Sequence, residues 1–141
     1  MYLLDTNVIS EVRRLKHGKC NPNVADWVSR TPSELMYTNA VIMMELERGV
    51  LAMERKDKAQ GQNLRNWLNT HVKPSFMGKV LPITNTTAQL CARLHIPDHA
   101  PENDAWIASS ALEHRLILVT RNVADFERTG VQLFNPFKPR D

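Results

Sequence analysis

The chain has 141 residues, 43% hydrophobic and 23% charged, which suits one folded domain with a sizeable core. No apolar run approaches the roughly 18 residues of a membrane span, and Asp5 comes too early for a signal peptide. The net charge of +3 is a mild basic excess, and Cys20 and Cys91 are isolated thiols without C-x-x-C spacing, so a cytoplasmic protein with no disulfide and no membrane partner is expected.

Tyr2–Asp5 reads as a buried strand that ends in a carboxylate, followed at once by Thr6-Asn7. In an open α/β sheet, ligands bind outside the carboxyl ends of parallel strands, so Asp5 falls where chemistry is done. Asn7 to about Leu15 forms a short helix with Val8, Ile9 and Val12 on one side, broken by Lys16-His17-Gly18-Lys19. Pro22 starts a second helix carrying Val24, Trp27 and Val28, and Leu35–Thr38 is the second strand. From about Asn39 a long helix places Ile42, Leu46, Val50 and Met53 on one apolar face. Residues 54–58 read as a solvated stretch before the next helix, which carries Leu64, Trp67, Leu68, His71 and Val72 and ends at Pro74.

Val80–Ile83 is a short strand, and Thr84 or Asn85 caps the helix holding Ala88, Cys91, Ala92 and Leu94. A loop from His95 to Ala100 leads to Pro101, a first-turn residue of a helix running to about His114. Leu116–Thr120 has the composition of a central parallel strand, a turn with Asn122 and Asp125 follows, and Val131–Phe134 is the last strand. Uniformly apolar strands separated by helices predict an α/β fold, with a parallel sheet of about four to five strands covered on both faces.

Four acids stand where this fold can gather them: Asp5, Glu45, Asp104 and Asp125. Glu45 shares a helical row with Val41, Gly49 and Ala52, which places it beside the buried face, although a helical Glu is ordinarily solvated. Glu47 reads as more exposed. Asp104 occupies the first turn of its helix, where the macrodipole favours an acid with or without a further role. The row Asp104, Ala108, Ala111 lets that helix lie close to the sheet and aims Asp104 at the strand ends. Glu102 in the same turn faces solvent. Asp125, one helical turn after Asn122, either caps a turn or joins the acids. Thr6, Asn7, Thr120 and Asn122 are positioned to orient carboxylates by hydrogen bonds. Such a cluster repels itself unless a divalent cation joins it. With these four set aside, 18 bases face 11 acids, and a negative centre in a positive surface suits a phosphate-backbone substrate.

The stretches Leu4-Asp5-Thr6-Asn7-Val8-Ile9-Ser10-Glu11, Glu45-Leu46-Glu47-Arg48-Gly49, Asp104-Ala105-Trp106-Ile107-Ala108-Ser109-Ser110-Ala111 and Leu118-Val119-Thr120-Arg121-Asn122-Val123-Ala124-Asp125-Phe126 together resemble the PIN-domain ribonucleases, specifically the VapC/FitB-like toxins of bacterial type II toxin–antitoxin pairs. Order and spacing match to about Pro136. Trp106 and Ser109-Ser110 depart from the pattern without removing an acid.

The resemblance implies a single-domain three-layer sandwich over residues 1–137, with a tail at 138–141. It also implies a metal-dependent endoribonuclease in which Asp5, Glu45 and Asp104 are the core acids and Asp125 or Asn122 is the fourth. One or two Mg²⁺ (or Mn²⁺) ions would serve as cofactor, and water as nucleophile would leave 5′-phosphate and 3′-hydroxyl ends. Structured RNA such as tRNA is the implied substrate, with Arg13, Arg14, Lys16, Lys19 and Arg121 as backbone contacts or as ordinary solubility charge. A cognate antitoxin placing an Arg near the metal, and a homodimer, are the implied partners. Trp27, Trp67 and Trp106 are offered as exposed apolar groups for either interface.

Other chemistries fit poorly. A dehalogenase-type phosphatase needs a second Asp where Asn7 stands, and phosphate-binding glycine loops and G-x-S-x-G are absent. Pro97 argues against a helical zinc pair of His95 and His99, no Cys is expected nearby, and all five histidines read as structural or exposed. The competing reading from another class is a non-catalytic RNA- or protein-binding module on the same fold.

Overall fold

The computed structural model describes residues 1–140. Five parallel strands form one sheet in the order β3-β2-β1-β4-β5: β1 Tyr2–Leu4, β2 Met36–Asn39, β3 Val80–Leu81, β4 Ile117–Val119 and β5 Leu133–Phe134. The central pair is in register, Leu3 opposite Leu118 and Leu4 opposite Val119. Neighbouring strand residues point to opposite faces, yet Leu3, Leu4, Leu118 and Val119 are all buried, so both faces are covered. Strand order reverses between β1 and β4, and the crevice at their carboxyl ends is the binding position of such sheets.

The helices are α1 Thr6–Val12, α2 Pro22–Arg30, α3 Ala40–Lys56, α4 Lys58–Trp67, α5 Lys73–Ser75, α6 Asn85–Leu94, α7 Glu102–His114 and α8 Val123–Phe126. Their starts follow capping chemistry. Asp5 accepts from the Thr6 amide, Asn39 from the Ile42 amide, and Thr84 forms a reciprocal capping box with Thr87. The Asn39 side-chain amide also donates to Ser110 Oγ at 2.9 Å in the interior, and Ser109 donates to the Ala105 carbonyl. The two serines that interrupt the apolar pattern of α7 are thus satisfied, and one ties α7 to the start of α3.

Several expectations shift. The first helix ends at Val12 and continues as a 3-10 segment, Arg13–His17. Residues 54–56 are the last turn of α3, and only Asp57 separates α3 from α4, capping the latter through its side chain. Glu54 and Glu47 are both engaged by Arg65 at 2.5–3.3 Å, so Glu47 is a paired group rather than a free surface acid. That fork holds the Glu47 carboxyl below the usual range. The helix expected to end at Pro74 ends one residue later: α4 runs through a π-helical turn, Leu68–Val72, into α5, whose last residue is Ser75. The terminal strand contracts to Leu133–Phe134. Of the tail, Asp141 lies outside the described residues.

Candidate active site

Asp5 leaves β1 at the strand-order reversal and is held on three sides. The Thr6 amide donates to Oδ1 at 2.8 Å, Thr120 Oγ1 donates to Oδ2 at 2.8 Å, and the Asn7 side-chain amide donates to Oδ2 at 3.3 Å. Thr120 Oγ1 in turn accepts from Asn7 Nδ2 and from the Asn122 amide. Burial pushes the Asp5 carboxyl above its ordinary range, the Thr120, Thr6 and Asn7 hydrogen bonds oppose that shift, and the charge of Glu45 adds to it.

Glu45, half-buried on α3, has both oxygens occupied. Thr6 Oγ1 donates to Oε1 at 2.5 Å and Asn103 Nδ2 donates to Oε2 at 3.1 Å. Asn103 was not singled out in the sequence, although it stands in the same first turn of α7 that aims Asp104 at the strand ends. Gly49 is exposed, with open space where a Cβ would lie, so no close neighbour explains the small residues beside Glu45.

Asp104 is half-buried, and its carboxyl is pushed up to about 6, first by burial and then by the charges of Asp5, Asp125 and Glu45. Asp5, Asp125 and Glu45 are thus near enough for their charges to act on Asp104. Neither Asp104 nor Asp125 takes a side-chain hydrogen bond from another described residue. Asp125 is exposed on α8, and the Asn122 side chain neither caps α8 nor reaches an acid; the Asn122 amide donates to Thr120 Oγ1 and its carbonyl accepts from the Asp125 amide at 3.1 Å. The acids surround the crevice without closing on it: among the described residues, no three of them bring oxygens within 4.8 Å of one another.

This donor set fits a divalent cation that retains water. It is all oxygen, two of its carboxylates are unbonded, and their mutual repulsion is what a cation relieves. In metal-free protein Asp5 and Asp104 hold protons to higher pH in the folded state than in the unfolded. Their stabilising effect is complete below 3.8 and lost as pH rises through about 6, so stability is expected to fall between about pH 5 and 7. With solvent screening of half-exposed Asp104 the loss is about 1 kcal/mol. Urea unfolding in chelator at the two pH values measures it, and a flat or rising stability would contradict the geometry.

The basic residues separate into two groups. Buried Glu11, which accepts from the Asn21 amide at 2.7 Å, pairs with Arg14 at 3.5 Å and Arg121 at 3.8 Å. Arg121 also stacks on Phe137 and donates its amide to Asn7. Arg14 and Arg121 are therefore tethered by an acid that carried no role in the sequence reading. Arg13 and Lys16 instead line an open groove of ≈ 680 Å³ with Asn63, Asn66 and Thr70, none of the four acids among its walls. Lys19 is exposed. The three tryptophans are half-buried rather than exposed, and Trp27 packs against Tyr2 and Phe134. Cys91, expected to stand apart from the histidines, lies with its sulfur 3.9 Å from His95.

The sequence profile of the PIN domain family matches residues 2–132. A VapC ribonuclease, Y4jK, of Sinorhizobium fredii is 30% identical, covering 99% of both chains. The toxin FitB of Neisseria gonorrhoeae is 34% identical over 97% of this chain and 99% of its own. The crystal structure of FitAcB from the same organism superimposes with a TM-score of 0.86 at 30% identity, covering 97% of this chain and 99% of that one. Among the described residues no helix is long and apolar enough to cross a membrane.

Proposed function

The chain belongs to the PIN-domain family, and from that premise we propose that it is a divalent-metal-dependent endoribonuclease, the toxin of a type II toxin–antitoxin pair. Relatives named as a ribonuclease and as a toxin, aligned over nearly their whole length, support the reading. The observation that carries it is the gathering of Asp5, Glu45, Asp104 and Asp125 around the crevice between β1 and β4, two of them free of hydrogen bonds.

Asp5, Glu45, Asp104 and Asp125 would hold Mg²⁺ or Mn²⁺, which when bound supplies Lewis-acid activation of water and neutralises charge on the phosphoryl group. The remaining work falls to the chain. Thr120 and Asn7 fix the rotamer of Asp5, and Thr6 and Asn103 clamp Glu45 from opposite oxygens, so both carboxylates are oriented before substrate arrives. Asp104 and Asp125 have no side-chain hydrogen bond among the described residues, which leaves their oxygens available to a cation. Water as nucleophile leaves 5′-phosphate and 3′-hydroxyl ends. Arg13, Lys16 and Lys19 are assigned to the RNA backbone, with structured RNA such as tRNA as substrate. A cognate antitoxin, a homodimer and a cytoplasmic site of action complete the reading.

The test is cleavage of a total tRNA and rRNA mixture by antitoxin-free protein with Mg²⁺, with Mn²⁺ and with chelator, alongside acid variants. Discrete fragments that vanish with chelator and in the variants support the proposal. Folded protein that cuts nothing in either metal would overturn it for these RNAs, and cleavage surviving chelator would overturn the metal dependence. Thr120→Val, which removes the donor to Asp5 while keeping the side-chain shape, is expected to slow cleavage about 10- to 100-fold. It should cost only about 1–2 kcal/mol of stability. Single-turnover cleavage and urea unfolding of the same preparation separate the two effects.

A further inference from the structure

A second cluster of metal-binding side chains lies at the α6–α7 connection, in none of the roles given above. His95 closes α6, His99 lies in the loop, and Glu102 opens α7. One donor atom from each of His95, His99 and Glu102 lies within 4.8 Å of the others. The His95 and His99 rings are 4.7 Å apart between centroids. His95 Nε2 is 3.9 Å from Glu102 Oε2 and 3.9 Å from the sulfur of buried Cys91.

We propose that His95, His99, Glu102 and Cys91 form a zinc-class metal site that ties the end of α6 to the first turn of α7. Two imidazoles, a thiol and a carboxylate are the donors tetrahedral zinc prefers, and they contrast with the all-oxygen set at the crevice. Tetrahedral zinc holds such donors about 3.3–3.7 Å apart, given its bond lengths. The His95, His99 and Glu102 donors, within 4.8 Å of one another, need to close by up to about 1.5 Å, with the exposed His99 and Glu102 side chains moving toward His95 and Cys91. In the metal-free ring His95 Nδ1 accepts from the Ala100 amide at 3.0 Å, which leaves the proton on Nε2, facing Cys91 and Glu102. Binding moves that proton to Nδ1, releases the Ala100 amide to solvent and sends the Cys91 thiol proton to bulk water. The loop yields one hydrogen bond and gains four metal bonds. Asp104 stands two residues after Glu102, so the site would also steady the turn that carries it. The assignment does not depend on the nuclease reading.

The test uses the full chain carrying Asp104→Asn, which weakens the all-oxygen crevice while leaving its fold intact, and the thiolate band distinguishes the two sites. Titration with Co²⁺ is expected to give one equivalent bound, with the visible absorption of a tetrahedral ion and a thiolate charge-transfer band, and Zn²⁺ should displace it. His99→Ala and Glu102→Gln, both at exposed positions, should each weaken binding at least about tenfold. Cys91→Ser should abolish the charge-transfer band. Zn²⁺ should raise the melting temperature of the parent but not of His99→Ala. No binding, octahedral-type absorption without the thiolate band, or binding unchanged in both His99→Ala and Glu102→Gln would overturn the assignment.

Discussion

Asp104→Asn is expected to leave a folded protein that cuts RNA at least about 1,000-fold more slowly, a loss of about 4 kcal/mol in transition-state stabilisation. The substitution keeps the size of the side chain and removes one charge from a crevice of four. Because burial and the neighbouring acids push the Asp104 carboxyl up to about 6, its charge opposes folding at neutral pH in metal-free protein. The variant should therefore be as stable as the parent or slightly more so in chelator, while losing activity in Mg²⁺, a trade between stability and function at one carboxylate. Asp5→Asn should lose as much activity but is the poorer probe. Asp5 also caps α1 and accepts from Thr120 and Asn7, and an amide turns a donor toward groups that now donate to it. Cleavage rates with the unfolding curves of both variants decide the matter. Retained cleavage by well-folded Asp104→Asn would remove Asp104 from the site.

Gly61→Ala is expected to cost about 3 kcal/mol, near the upper end for inserting one carbon into a filled contact. A Cβ there would stand 2.4 Å from Glu54 Cα and 2.7 Å from Glu54 N, backbone atoms that cannot turn aside. α3 and α4 would have to separate, against Arg65 holding Glu47 and Glu54 across the same seam. The gain in helix propensity, about 1 kcal/mol, is too small to compensate. Since α3 carries Glu45, the shift should also reach the acids. Gly49→Ala, on the partner helix α3, is the control. Open space surrounds that position, so only the propensity gain remains, and stability should rise by up to about 1 kcal/mol. Melting temperatures should move in opposite directions, with Gly61→Ala down by about 10 °C. A mild effect at Gly61 would mean that the helix pair is looser than its geometry.

Local chemistry made much of this molecule legible in one dimension. The central strands are short apolar runs that no helix period explains, Asn39 and Thr84 are cap residues before apolar faces, and Asp5 follows its strand without a spacer. The parallel sheet and the acids at its carboxyl edge follow from those signals, because burial on both faces and the crossover rule leave few alternatives. Residues 54–56 read as solvated, and they stay helical while Arg65 of the next helix pairs with Glu54.

The same division runs through the site. Residue type and position along the strands and helices singled out Asp5, Glu45 and Asp104 as candidates, and left Asp125 between a turn cap and a fourth acid, with the family resemblance adding the rest. Which oxygens are occupied, and by whom, was decided only in three dimensions. Asn103 reaches Glu45 across 58 residues, Thr120 reaches Asp5 across 115, and Glu11 binds Arg14 and Arg121 together. Cys91 meets His95 one helical turn along α6, a spacing visible in the chain, whereas His99 meets His95 only because the loop folds back on the helix end. Periodicity encodes which face of an element is buried; hydrogen bonds and ion pairs between elements depend on where the chain returns, and only the folded structure determines that.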